Sequence, residues 1–191
     1  MNNIETFKEQ LNQIKNQELR KLVEIQLNKI PEYFYRVPAS STSKYHNESE
    51  NGVGGLVRHV KAVFKFAYCL LQLEMYAPLI QYRDEILVAA LLHDSIKMGL
   101  TESKYTVFEH PKLAAESFKE TAIEQNYKDM ESIDRICGMI CAHSGQWNTN
   151  RYSSIVLPKP LSKIEYFLHQ CDYLGSRSFV QVSDLDNFER S

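Results

Sequence analysis

Apolar residues recur three and four apart from one end of the chain to the other, and alternating runs of the kind that build strands are scarce. The pattern predicts an all-α fold, a compact single-domain helical bundle. Ile4, Phe7, Leu11 and Ile14 mark a first amphipathic helix. Leu19, Leu22, Val23, Leu27 and Ile30 mark a second, ended by Pro31, which has no amide donor and restricts the residue before it. These two make an N-terminal helical part over 1–36. From Val37 to Gly55 the pattern is interrupted by Ser40, Ser41, Ser43, Asn47, Asn51 and three glycines, which predicts an irregular connection too polar for the core. Loops of that length usually serve a function or are disordered. Helices are then expected from Gly54-Gly55 to about Met75, from Arg83 to about Asp94, from Pro111 to about Glu124, from Met130 to Ala142 and from Ser162 to Arg177, giving a core over 54–177. The tail over 178–191 carries Asp184, Asp186, Glu189 and Arg190 and little that would pack.

The chain has 191 residues, enough for one domain with a sizeable core. Lys+Arg 22 against Asp+Glu 24 leaves a formal charge of -2, which creates no global field for a long nucleic-acid duplex but leaves room for a local basic pocket. No basic-then-apolar leader opens the sequence and no apolar run reaches spanning length, so a cytoplasmic protein without a membrane partner is expected. Cys69, Cys137, Cys141 and Cys171 sit in helix-like segments without a Cys-x-x-Cys pair, which points to buried thiols rather than to disulfides or a thiolate zinc site.

The chemistry lies in titratable residues on apolar helix faces. His59 shares a stripe with Leu56, Val60, Val63, Ala67, Leu70 and Leu71; His93 shares one with Ile86, Ala89 and Ala90; Asp172 shares one with Ile164, Phe167, Leu168 and Cys171. A single histidine in such a place is more often a hydrogen-bonded core residue than a ligand. A buried carboxylate is harder to explain that way, because without a partner it costs several kcal/mol at least, on the order of an unpaired ion. Several such residues on facing helices satisfy one another when they converge on a cation. His93 and Asp94 are adjacent and so point about 100 degrees apart, which lets both reach one centre from a helix passing beside it. Lys97 is four residues after His93; one further turn of helix would bring its ammonium to the same centre, against the plainer alternative of a solvated helix end beside Gly99. His110 precedes Pro111 and is expected to cap the helix that the proline begins, and His143 ends the helix from Met130.

The ordered set Gly-Gly-Leu-Val-Arg-His59, Ala-Ala-Leu-Leu-His93-Asp94-Ser-Ile-Lys97, His110-Pro, Ala-His143-Ser and Cys-Asp172-Tyr-Leu resembles the HD-domain superfamily of metal-dependent phosphohydrolases, over roughly Gly54 to Arg177. The glycine pair and the segment from Asp172 to Arg177 look most like stand-alone bacterial or phage HD proteins, and are similar to the HD module of some exoribonucleases. The resemblance implies that His59, His93, Asp94 and Asp172 hold one divalent metal, and that His110 and His143 complete a two-metal centre bridged by Asp94. The ligand types suit Mn, Fe, Co, Ni or Zn better than Ca or Mg. Asp94 and Lys97 would then be catalytic, with Lys97, Arg58, Trp147 and Arg177 toward the substrate, although a solvent-facing salt bridge is the plainer role for either arginine and a packing anchor for Trp147. His169, one turn before Asp172, is expected to support the centre rather than to bind metal, and His46 to border the pocket or face water. The implied partner is a small phosphorylated substrate such as a nucleotide, or short single-stranded nucleic acid. The implied reaction is hydrolysis of a phosphoester. A two-iron oxygenase and a non-catalytic metal-containing regulatory module use the same ligand set and stand as alternatives. The oligomeric state is not legible in the sequence.

Overall fold

The computed structural model describes residues 3–40 and 48–188. His46, Ser41, Ser43, Asn47, Glu189 and Arg190 lie outside them. Eight α-helices and three short 3-10 segments make up the described chain, and Thr149 and Val156 form one isolated bridge in place of any strand. The first amphipathic stretch is broken at Phe7 into α1 (Asn3–Thr6) and α2 (Lys8–Gln13), and α3 (Gln17–Lys29) follows, capped by the Asn16 side chain, which accepts from Leu19 N at 3.1 Å. α3 ends before Pro31, as the proline requires.

The two ends of the polar connection are packed, contrary to the expectation from composition. Val37, Ala39 and Glu50 are buried, and Ala39 N donates to Glu50 O. α4 (Gly55–Leu70) is shorter than its apolar pattern suggested. It stops at Leu70, and a 3-10 segment over Glu74–Tyr82, with Pro78 inside it, carries the remaining apolar residues at a different pitch. α5 (Arg83–Leu92) is buried continuously from Ile86 to Leu92, which is why its apolar run shows so little helical periodicity.

α6 (His110–Glu124) packs on α7 (Met130–Ala142), α5 lies against α4 and α7, and α8 (Lys163–Gly175) lies along α4. α8 begins with a capping box, in which the Ser162 hydroxyl accepts from Glu165 N and the Glu165 carboxylate accepts from Ser162 N. Within it Phe167, Leu168 and Cys171 are fully covered. The tail also packs, against expectation. Phe188 meets the rings of Phe64 and Tyr68 edge-on, and Asp186 pairs with Lys61 and accepts from Gln10. No single helix among the described residues is long and apolar enough to cross a membrane. All four cysteines are free.

Candidate metal centre

Five segments converge at one buried place. His59 comes from the second turn of α4, His93 and Asp94 from the end of α5, His110 from the start of α6, His143 from the end of α7 and Asp172 from the last turn of α8. His59, His93, Asp94 and His143 are almost fully covered, and Asp172 keeps about a fifth of its side chain exposed. His110 is the first residue of α6, one place inside the cap predicted for it, with Glu109 in the cap position.

The ring nitrogens are oriented by the backbone. His93 Nδ1 lies 2.8 Å from Ala90 O, His110 Nδ1 2.7 Å from Val107 O and His143 Nδ1 2.7 Å from Ile140 O. Carbonyls only accept, so each Nδ1 carries a proton, and in the neutral ring each Nε2 offers a lone pair. All three lone pairs face the same interior. His93 Nε2 is 3.5 Å from Asp94 Oδ2 and 3.4 Å from His59 Nε2, and His59 Nε2 is 3.1 Å from Asp172 Oδ1. On the other side of Asp94, Oδ1 is 2.9 Å from His110 Nε2 and 3.7 Å from His143 Nε2. Two triads result, His59-His93-Asp94 and Asp94-His110-His143, and Asp94 belongs to both.

Electrostatics separates the groups. Burial would raise the Asp94 carboxyl, but Lys97, His93 and His110 outweigh it and hold the group well below the usual carboxylate range. Asp172 is likewise held down, burial being outweighed by His59, His93 and His143. Burial would lower His59, yet the Asp172 and Glu50 carboxylates raise it to about 9, whereas burial and the neighbouring His93 push His143 down to about 3. Two carboxylates held low thus stand beside His93 and His143, both pushed down by burial, and His59, pushed up by its carboxylate neighbours.

The donor set fits divalent metal. Asp94 Oδ1 and His110 Nε2 are both buried, face each other at 2.9 Å and make no hydrogen bond. A cation between them would take the imidazole lone pair and balance the carboxylate together. Mixed imidazole and carboxylate donors suit a first-row transition metal.

Lys97 reaches the centre by a different route from the one expected. α5 stops at Leu92, and residues 93–100 continue as tight turns in which Ser95 N, Lys97 N and Gly99 N each donate to the carbonyl three residues back. The tighter winding brings Lys97 Nζ onto Asp94 Oδ2 in a buried ion pair. Tyr33, from the 3-10 segment Glu32–Tyr35, pins this turn by donating to Gly99 O at 2.7 Å and accepting from Met98 N at 3.1 Å. His169 takes the supporting role expected of it, with Nδ1 2.7 Å from His143 O. Its ring lies so close to the loop that a Cβ on Gly145 would be 2.2 Å away, and Gly145 has φ +59.

The arginines and the tryptophan do not join the cluster. Arg58 donates to Val53 O at 3.0 Å, tying down the start of α4. Arg177 lies over the Tyr173 ring at 4.2 Å, and Trp147, 52 % exposed, stacks parallel to the same ring with centroids 5.9 Å apart. The residue that sequence reasoning missed is Glu50. It is buried, with Oε2 3.3 Å from His59 Nδ1. A lone acidic residue in a polar loop, nine positions before the histidine it faces, carries no periodic signal.

A helical bundle that gathers imidazoles and carboxylates from five segments around a buried centre defines a metal-site domain. The family model of the HD domain matches residues 56–176, and the chain belongs to this family, within the superfamily of metal-dependent phosphohydrolases. No curated protein and no solved structure matches the chain.

Proposed function

We propose that the chain hydrolyses a phosphoester in a nucleotide, cyclic nucleotide or short oligonucleotide, with His59, His93, Asp94 and Asp172 holding one divalent ion, and Asp94, His110 and His143 a second. The observation that carries the reading is Asp94, a buried carboxylate whose two oxygens each face a separate set of imidazole Nε2 atoms. A divalent ion bound there supplies Lewis acidity, which acidifies a water and takes up charge on phosphoryl oxygens. In the reaction the water oxygen bonds to phosphorus, the ester P–O bond breaks, and the ester oxygen leaves with a proton.

The chain's own groups orient the substrate. Lys97 Nζ has three N–H donors, of which Asp94 engages one, so the others are available to a phosphoryl oxygen. The aromatic strip of Trp147 and Tyr173, with Arg177 over its end, supports a base stacked beside the phosphate, since Trp147 follows closely on His143 and Tyr173 directly follows Asp172. A groove of about 490 Å³ adjoins the strip, lined by Tyr76, Gln146, His169 and Tyr173 among others.

The test is an anaerobic screen of nucleotides, cyclic nucleotides and short oligonucleotides with the protein loaded in turn with Mn, Fe, Co, Ni and Zn. Cleavage without oxygen that is lost in Asp94→Asn is the expected result. A metal-replete protein that cleaves none of the panel would contradict the proposal, and oxygen consumption by the iron form would redirect it toward oxidation.

A further inference from the structure

Of the four histidines at the centre, three have Nδ1 held by the carbonyl three residues back: Ala90 O, Val107 O and Ile140 O. All three rings sit at helix ends, where carbonyls are turned out of the hydrogen-bond ladder or precede it. His59 is different. It lies inside α4, where the corresponding carbonyl is engaged by the helix itself, and its Nδ1 instead faces the carboxylate of Glu50 at 3.3 Å.

The placement of Glu50 is built into the backbone. Its carbonyl accepts from Ala39 N at 3.1 Å, and a Cβ on Gly55 would lie 1.8 Å from that same oxygen, so the first residue of α4 and residue 50 are in contact that only glycine permits. Leu56 N donates to Val37 O, which closes the same corner. The side chain is 6 % exposed, unusual for a glutamate and costly unless a counter-charge is close.

We infer that Glu50 is a positioning residue for the metal centre, which accepts the Nδ1 proton of His59, strengthens His59 Nε2 as a ligand and makes the two metal positions unequal. The inference rests on the metal reading above. The position formed by His59, His93, Asp94 and Asp172 has a carboxylate behind one of its imidazoles and Asp172 beside it, whereas that formed by Asp94, His110 and His143 has only neutral carbonyls behind its rings. Both the added negative charge and a carboxylate 3.3 Å from Nδ1 of a ligating imidazole favour a divalent cation at the first position. The first position therefore fills tightly and the second weakly, and Glu50 sets much of the gap.

Zinc titration of the full chain, stripped of metal and read against a chromophoric chelator, tests this without reference to activity. The wild-type protein is expected to take up zinc in two steps. Glu50→Gln should weaken the tight step by about 10–100-fold and leave the weak step in place, while His143→Ala should remove the weak step and leave the tight one. Glu50→Asp, which keeps the charge on a shorter stem, should restore part of the loss. Two-step uptake that Glu50→Gln leaves unchanged would overturn the inference while sparing the metal reading. So would a loss in Glu50→Gln that Glu50→Asp does not relieve and that is matched by a lower Tm of the zinc-free protein, since that is the mark of a merely structural role. A wild-type chain that takes up no zinc or manganese would overturn both together.

Discussion

Asp94 is the side chain on which the most groups depend. Without a bound cation its charge is balanced chiefly by Lys97, itself only 8 % exposed. Removing one member of a buried ion pair leaves the other uncompensated, so in metal-free protein Asp94→Ala should cost about 3 kcal/mol. Replacing both leaves no uncompensated buried charge, so the double variant Asp94→Ala, Lys97→Met should recover part of that loss in urea unfolding. Strict additivity would show that the pair is not coupled. Cys137 yields a pH prediction away from the centre. Burial, with Cys141 next to it, pushes its thiol up to about 12, and the thiolate is the form that alkylates. Between pH 7 and 9 the native chain should therefore label at Cys137 far more slowly than the unfolded chain, as mass spectrometry after iodoacetamide treatment would show, and the gap should close as pH rises toward 12. At this scale the titratable residues on apolar faces, His59, His93, Asp94 and Asp172, were legible because burial of a charge is anomalous against a helical pattern. Glu50 and Tyr33 were not, because each acts across space from a segment with no periodicity.

Helix ends explain most differences between pattern and structure. The apolar residues after Leu70 continue in sequence but change pitch, and periodicity over so few residues does not separate an α-helix from a 3-10 turn. After Leu92 the same tightening carries Lys97 to Asp94 with a spacing of three rather than the continued helix expected. The start of α4 was legible as a glycine pair, but the reason for it was not. Gly54 takes φ +73, and Gly55 makes room for the Glu50 carbonyl. Gly55→Ala would gain up to about 1 kcal/mol of helix propensity. The backbone oxygen in its way has no rotamer to change, and crowding of this kind typically costs about 1–3 kcal/mol. The variant should thus be net destabilised, with Glu50 displaced from His59 as a further consequence. A Tm equal to or above that of the parent chain would show that the corner yields and that the glycine is not needed for the contact.

Across the whole molecule the all-α bundle was legible because nearly every segment buries one helical stripe, and the packing of the tail was not, because Phe188 stands among polar neighbours. The centre gives the assembly its coupling. Its donors come from α4, α5, α6, α7 and α8, segments that local contacts alone do not hold in register, and the unfolded chain has no such convergence. A cation that binds only the folded form adds RT ln(1 + [L]/Kd) to stability, about 2.7 kcal/mol at a hundredfold excess over Kd. For a chain of this size each kcal/mol moves Tm by roughly 2–4 °C. Saturating zinc or manganese should therefore raise Tm by about 5–10 °C, the rise should continue with the logarithm of metal concentration, and a chelator should reverse it. In His93→Ala, which removes a ring from the first position and leaves the second intact, most of the gain should vanish while the weaker dependence from His110 and His143 persists. A Tm that ignores metal in the wild-type chain would mean that the convergence of these five segments is maintained by packing and by the Asp94, Lys97 and His59 charges alone.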